Sequence, residues 1–347
     1  MIRTYLNRIL GAAILLGALA GTAAASGMTG AGATFPYPLY SKWFDEYGKT
    51  HSGININYQS IGSGGGIRQI TDRTVDFGAS DAIMSEEQMA KAPGIMHFPT
   101  VIGAVVLVYN LPEVKNALVL DGETIAEIFL GQVATWNDPK IAALNPGMKL
   151  PGSAITVVHR SDGSGTTNIF TDYLSHVSTG WAKSVGKNTS VNWPAGLGAK
   201  GNEGVAGQVK NLEGSIGYVE LAYASTNKLA MASVKNRSGV VVVPSVASTT
   251  QAAASISRTM PADMRVSIVN PLDKNAYPIA GFTYLLVYRE QKDAGKGRQL
   301  VDFIDWAMKD GQKFAAPLLY APLPPAVVAR AQARLKTVTA GGKPLLP

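Results

Sequence analysis

Leu39, Tyr40, Trp43, Phe44 and Tyr47 fall at i, i+1, i+4, i+5 and i+8, a spacing that lays one apolar stripe along a helix. Pro36 and Pro38 stand where that helix should begin, since proline is tolerated in a first turn. Ile54, Ile56 and Tyr58 alternate with polar neighbours, the period of a half-buried strand. Val75 to Ala79 and Ile155 to Val158 are instead short, mostly apolar runs, as strands show when both faces are covered. Ile169, Phe170, Tyr173 and Leu174 form another helical stripe, and Ser85 and Thr124 head capping-box spacings. Strands alternating with helices predict an α/β architecture with largely parallel sheets. The stretch from Pro324 to Leu335 reads as helix, residues 336–347 as a frayed end, and the Ser/Thr/Ala-rich stretch 245–257 as a surface segment.

Two longer segments look alike. His97-Phe98-Pro99 and Ala276-Tyr277-Pro278 each lead through a glycine-containing joint into an apolar strand, ending at Tyr109 and Tyr288. No low-complexity linker separates two halves of the chain, so these two strands are expected to be the bridges between lobes, with a cleft between them. Residues 26–104 and 281–347 then make one lobe and residues 105–280 the other. Two ordinary core strands would give the same pattern.

Composition narrows the chemistry. Of 347 residues 46% are hydrophobic and 16% charged, which supplies packed cores and excludes collagen, coiled coil and acidic activator. There is no Cys, which removes disulfides, thiolate nucleophiles, cysteinyl metal sites and a lipid anchor on an N-terminal Cys. The four His are far apart in sequence without metal-ligand spacing, so no metal or other cofactor is expected.

Residues 1–25 carry Arg3 and Arg8, a 12-residue apolar run from Ile9 to Ala20, and Ala23-Ala24-Ala25. This is the pattern of a secretory signal cleaved after Ala25, and the run is short of the ~20 residues that span a bilayer. Export to the periplasm follows. Removing the leader lowers the formal charge from +7 to +5, since it holds two Arg and no acid. No Lys/Arg block is present, so nucleic acid is not an expected partner, and a weak positive field favours small anions.

Three Gly/Ser/Thr clusters stand at the entrances of expected helices: Gly30 to Pro36, Gly62 to Gly66 ahead of a helix from about Ile67, and Arg160 to Thr167. A helix N-terminus has unpaired backbone N–H groups and the positive end of the macrodipole, so it attracts anions. One terminus gives only ~0.3–1 kcal/mol, up to ~2 when partly buried, against several for desolvating an ion, so several must converge. Each cluster by itself is equally an ordinary turn. None fits a better-known template: Ile67 breaks G-x-G-x-x-G, Asn202 replaces the P-loop Lys after the Gly196–Gly201 run, and the outer positions around Ser164 break G-x-S-x-G.

Arg160 at a strand end offers a planar fork for a tetrahedral oxyanion, or pairs with Asp162. Asp81, at the end of Val75 to Asp81, is either a helix cap or an acceptor. A carboxylate beside an anion is favourable when the ligand carries a proton to donate, as hydrogen phosphate does and sulfate does not.

Thr29-Gly-Ala-Gly-Ala-Thr-Phe-Pro36, Tyr58-Gln-Ser-Ile-Gly-Ser63, Val75-Asp-Phe-Gly-Ala-Ser-Asp81, Phe98-Pro-Thr-Val-Ile-Gly103, Arg160-Ser-Asp-Gly-Ser-Gly-Thr166 and Gly214-Ser-Ile-Gly-Tyr-Val-Glu220 resemble, in order, the periplasmic phosphate-binding protein of the phosphate ABC transporter. The resemblance implies a two-lobed α/β periplasmic-binding-protein fold of type II, with the ligand cleft between lobes joined by two hinge strands. It implies a monomer that carries inorganic phosphate to membrane permease subunits without catalysing a reaction. Carried over by position, Thr34 and Phe35 would supply a hydroxyl and an N–H, Ser63 both kinds of donor, and Ser164, Gly165 and Thr166 further hydroxyls and N–H groups. Arg160 would be the cationic contact, oriented by Asp162, and Asp81 the acceptor of the phosphate proton. Gly64 stands where the family often has a second Ser, and no ligand role is carried onto it. The rival expectations are a binding protein for sulfate or molybdate, and a secreted serine hydrolase or phosphatase using Ser164.

Overall fold

The computed structural model describes residues 26–254, 256 and 259–347; the expected leader lies outside them. Eight strands carry the architecture: β1 (Ser26–Gly32), β2 (Ile54–Ser60), β3 (Phe77–Ser80), β4 (Ile95–Tyr109), β5 (Thr156–Arg160), β6 (Leu197–Ala199), β7 (Ser215–Glu220) and β8 (Ala280–Tyr288). They lie in one nine-stranded sheet, in the order β2-β1-β3-β8-β4-β7-β5-β6, with Ala230–Met231 also beside β4. β1 is parallel to β2 and β3, and β5 is parallel to β6 and β7. The centre is antiparallel, β8 pairing with β3 and β4, and β4 with β7. The largely parallel sheet expected from the sequence is therefore parallel only in its two wings, where helical crossovers connect neighbours.

β4 belongs to both wings. Ile95–Ala104 pair with β8, and Val105–Tyr109 pair with β7, so this 15-residue strand changes partner between Ala104 and Val105. All its residues are buried, which is why its sequence shows no alternation. Pro99 has no N–H for the ladder, and the register with β8 shifts there, between Thr283 and Tyr284. The bulge frees the Thr100 hydroxyl to donate to Thr283 O at 3.2 Å and to meet the Tyr40 hydroxyl at 2.7 Å. The connection before β8 lies across the first wing: Arg265 pairs with Glu86 at 2.9 Å, and Arg334 donates to Ala262 O at 2.9 Å.

Helix α1 (Tyr37–Thr50) buries Leu39, Tyr40, Trp43 and Tyr47, the face its spacing requires. Burying each such side chain contributes about 1.5–3 kcal/mol. The Trp43 indole N–H donates to Gly311 O at 2.7 Å, tying the helix to the C-terminal part of the chain. Ser85 forms its capping box with Gln88. Thr124 does not head one, because the helix starts at Gly122 and the Asp121 carboxylate accepts the Thr124 N–H at 2.9 Å.

Two stretches without a firm sequence pattern take definite structure, and for the last of them the expectation is corrected. Within 245–257, the helix Val246–Ala254 lies at the surface as expected, with Ala247 and Gln251 exposed, and packs its other face inward through Ser248, Thr249, Ala252 and Ala253. The stretch expected to fray forms a hairpin, Thr339–Ala340 with Lys343–Pro344, whose first strand pairs in parallel with Glu290–Gln291.

Candidate anion site

Three turns meet between the wings. Thr34, Phe35 and Pro36 lead from β1 into α1. Helix α2 (Ser63–Thr71) begins at Ser63, four residues before the expected Ile67, because the glycines are wound into its first turn. Gly66 must be glycine there: a Cβ would lie 2.6 Å from both Ala79 O and Gly32 Cα. Helix α3 (Gly165–Val177) follows β5 and the Arg160 to Gly163 turn, capped by Ser164.

The turns expose unpaired donors. Tyr223 donates to Thr34 O at 2.6 Å, and since C=O and N–H point oppositely across a trans peptide, the Phe35 N–H is turned away from that tyrosine. Tyr320 fixes the next carbonyl, Phe35 O, at 2.7 Å. The N–H groups of Ser63, Gly165 and Thr166 lie in first helical turns and have no intrahelical acceptor. The Ser164 hydroxyl accepts the Thr167 N–H at 3.0 Å, which leaves its own proton free.

Arg160 is buried and bound to Asp162, Nε to Oδ1 at 2.8 Å and Nη2 to Oδ2 at 2.5 Å, while Nη1 donates to Thr166 Oγ1 at 3.3 Å. A guanidinium has five N–H donors. The two not engaged by these bonds are one on each terminal nitrogen, the end-on fork that grips an oxyanion. Burial would raise the Asp162 carboxyl, but its bonds to Arg160, the cation itself and the Gly201 N–H at 3.0 Å hold it below the usual range.

Asp81 ends the β3 segment opposite Arg160's wing. It is not a helix cap: Ser85 caps the following helix. Its N–H donates to Ser63 Oγ at 3.1 Å, and its Oδ1 is buried without a hydrogen-bond partner, as is the neighbouring Thr283 hydroxyl. Burial pushes this carboxyl up to about 7, against the smaller opposing pulls of Thr283, the Arg160 charge and Ser63.

The wings touch at this point. Gly64 N–H donates to Gly163 O at 2.8 Å. A Cβ on Gly165 would sit 2.4 Å from Ser63 Oγ and 2.5 Å from Asp81 Oδ2. The structure thus brings together all the sequence-derived positions: Thr34, Phe35, Ser63 and Asp81 from one side, Arg160, Asp162, Ser164, Gly165 and Thr166 from the other. Gly165→Ala forces the two turns apart without touching either core. It is expected to weaken anion binding at least tenfold in calorimetry, while the melting temperature without ligand changes little. Unchanged binding would show that the turns need not meet.

Several residues around the cage were not legible in the sequence. Asn202 is fully buried near the start of helix α4 (Gly201–Asn211), just after the glycine run that fails the P-loop pattern; that run was its only sequence signal. Tyr223, Tyr320 and Thr283 carried none. Glu220 ends a quoted motif, yet nothing marked it as a buried acid. Burial pushes its carboxyl well above the usual range, partly offset by the Ala222 N–H and Tyr320.

A secreted serine hydrolase would need a base at Ser164. The four imidazoles bond elsewhere: His51 with Tyr47 O, His97 with the Met84 N–H, His159 with Arg160 O and His176 with Asp172 O.

The comparisons agree with this geometry. A PBP superfamily domain model matches residues 18–310. The chain is 48% identical over 326 residues to the phosphate-binding protein PstS of Pasteurella multocida, covering 94% of each chain. It is 46% identical to that of Haemophilus influenzae, covering 91% of this chain and 94% of the relative. A high affinity periplasmic phosphate-binding protein solved with bound phosphate superposes with a TM-score of 0.71 at 23% identity, covering 88% of this chain and 93% of that one, which establishes the fold. Two wings of parallel strands sharing antiparallel bridges, with the turns ahead of α1, α2 and α3 meeting between them, make this a two-lobed periplasmic-binding-protein fold of type II, and the chain belongs to the PstS family of phosphate-binding proteins within the PBP superfamily.

Proposed function

We propose that this chain captures inorganic phosphate in the periplasm and hands it to the permease subunits of an ABC-type importer. The observation that carries the reading is the composition of the cage. The backbone N–H groups of Phe35, Ser63, Gly165 and Thr166 and the hydroxyls of Thr34, Ser164 and Thr166 would supply donors beside one guanidinium fork, with Asp81, which receives the Ser63 hydroxyl at 3.5 Å, as the one acceptor among them. Such a set fits a tetrahedral oxyanion bearing one proton. A charge-assisted hydrogen bond is worth ~1.5–3 kcal/mol net, so several together offset desolvation and leave micromolar or tighter binding.

Residues 26–104 and 281–347 serve as one lobe and 105–280 as the other, the stretch around Arg265 lying back across the first. Hinge motion at Ala104 opens the cleft, and closure buries the ligand. Residues 1–25 act as a leader removed after Ala25. The protein works as a monomer and releases phosphate unchanged, with no metal or covalent intermediate. Among the described residues no helix is long and apolar enough to cross a membrane.

Calorimetric titration with phosphate and sulfate tests this. Phosphate is expected to bind at micromolar concentration or below and to raise the melting temperature with ligand concentration, with sulfate far weaker at pH 8. No phosphate binding overturns the reading, and stronger sulfate than phosphate binding moves it to another oxyanion.

A further inference from the structure

The Asn202 side-chain amide joins both lobes at the cage. Its Nδ2 donates to Thr34 Oγ1 at 2.8 Å on one lobe and to Thr166 Oγ1 at 3.1 Å on the other, and its Oδ1 accepts the Glu220 N–H at 2.9 Å. A backbone N–H can only donate, so this last bond fixes which end of the amide is oxygen. Thr34 Oγ1 also accepts the backbone N–H of Asn202 at 3.3 Å, and Thr166 Oγ1 accepts Arg160 Nη1 at 3.3 Å.

A hydroxyl has two acceptor positions and one proton. On both threonines the acceptor positions are filled by nitrogen donors that cannot receive a proton in return, and neither hydroxyl bonds to an acceptor among the described residues. Each proton has the cage interior left to it.

We infer that Asn202 is a positioning residue that sets the polarity of the cage: it holds Thr34 and Thr166 as obligate donors, so a protonated ligand oxygen is refused at those corners and accepted only at Asp81. This rests on the phosphate-binding reading and states how the site orients the ligand's proton. Two donors facing a P–OH would leave one hydrogen bond unmade in a buried site, which is the source of the refusal. Because Nδ2 reaches a hydroxyl on each lobe, this polarity is complete only in the closed form.

Asn202→Asp keeps the acceptor for the Glu220 N–H and replaces the donor with a second acceptor, which draws the threonine protons out of the cage. Phosphate affinity at pH 8 is expected to fall at least 100-fold, with a smaller loss at pH 5.5, where dihydrogen phosphate has a second proton to give. Thr34→Ala should cost at least tenfold in the native background and less than threefold beside Asn202→Asp, where the hydroxyl already points away. A residue that merely braces α4 would leave the Thr34→Ala cost the same in both. Should Asn202→Asp not fold, judged by its melting transition without phosphate, Asn202→Ala replaces it in the same cycle: the hydroxyls are then free to turn but are not drawn away, so a smaller phosphate loss, at least tenfold, and a partial fall in the Thr34→Ala cost are expected. Equal Thr34→Ala costs, or phosphate binding within threefold of native in the Asn202 variant, overturn the inference while leaving the proposed function standing. Failure of the native protein itself to bind phosphate removes both.

Discussion

Arg160→Met is expected to weaken phosphate binding by at least about 100-fold. The two N–H groups left over from Asp162 and Thr166 would each make a charge-assisted bond to the ligand, at ~1.5–3 kcal/mol apiece. Their removal also leaves Asp162, half-enclosed beside the cleft, without its cation, so a negative charge faces the incoming anion. Methionine fills the volume but supplies no donor. Arg160→Met with Asp162→Asn should therefore recover part of the loss, because the stranded charge is gone while the missing fork is not. Titration calorimetry of the single and double variants measures both steps. Native-like affinity in Arg160→Met would mean that the cage holds phosphate by neutral donors and helix termini alone.

Asp81→Asn is expected to reverse the selectivity of the site. At pH 8 the native carboxyl is largely ionised, since burial pushes it up to about 7. On the proposed reading it accepts the hydrogen phosphate proton and repels sulfate. An asparagine amide donates to sulfate instead, so the phosphate-to-sulfate affinity ratio should fall at least 100-fold. Acid acts on the native protein in the same direction: as pH falls through about 7, Asp81 gains a proton and becomes a donor, and sulfate should bind progressively better. In Asp81→Asn the sulfate affinity should be high and nearly flat from pH 8 to pH 6. Flat sulfate profiles for both proteins would sink the proton-reading role.

The same group sets a stability profile in the absence of ligand. Asp81 has a folded pKa of about 7 against 3.8 for the ordinary side chain, so folding is opposed wherever the unfolded chain would be ionised. The penalty is absent below about pH 4, grows up to about pH 7 and is constant above, on the order of 4 kcal/mol if the cleft stays shut. Asp81→Asn without phosphate should accordingly melt several degrees above native at pH 8 and level with it at pH 4.

The stripe from Leu39 to Tyr47 fixed α1 because burial on one face of a helix leaves a 3.6-residue signature that distant contacts do not erase. β4 showed only an unbroken apolar run, since burial on both sides removes alternation; that it serves both lobes rests on pairing with β7 and β8, which are about 110 and 180 residues further along the chain. The Thr124 capping box failed to a competing aspartate three residues earlier, a choice between two local hydrogen bonds that spacing cannot rank.

The site divides in the same way. Glycine-rich turns ahead of helices, Arg160 beside Asp162, and Asp81 at a strand end are local features, because a helix terminus or a strand edge is made by neighbours in sequence. The chain by itself therefore marked candidate donors, a candidate cation and a candidate acceptor, each with an ordinary turn, ion pair or helix cap as its alternative. It did not determine that Gly64 meets Gly163, that Tyr223 and Tyr320 turn the Thr34 and Phe35 carbonyls, or that Asn202 spans Thr34 and Thr166. Those contacts join residues far apart in sequence, and a hydrogen bond depends on a few tenths of an ångström and on angle, neither of which residue order encodes. Tertiary structure alone decided which nitrogen donors meet the Thr34 and Thr166 hydroxyls and that Asp81 is buried, because both are set by what the closed lobes bring to the cleft and exclude from it.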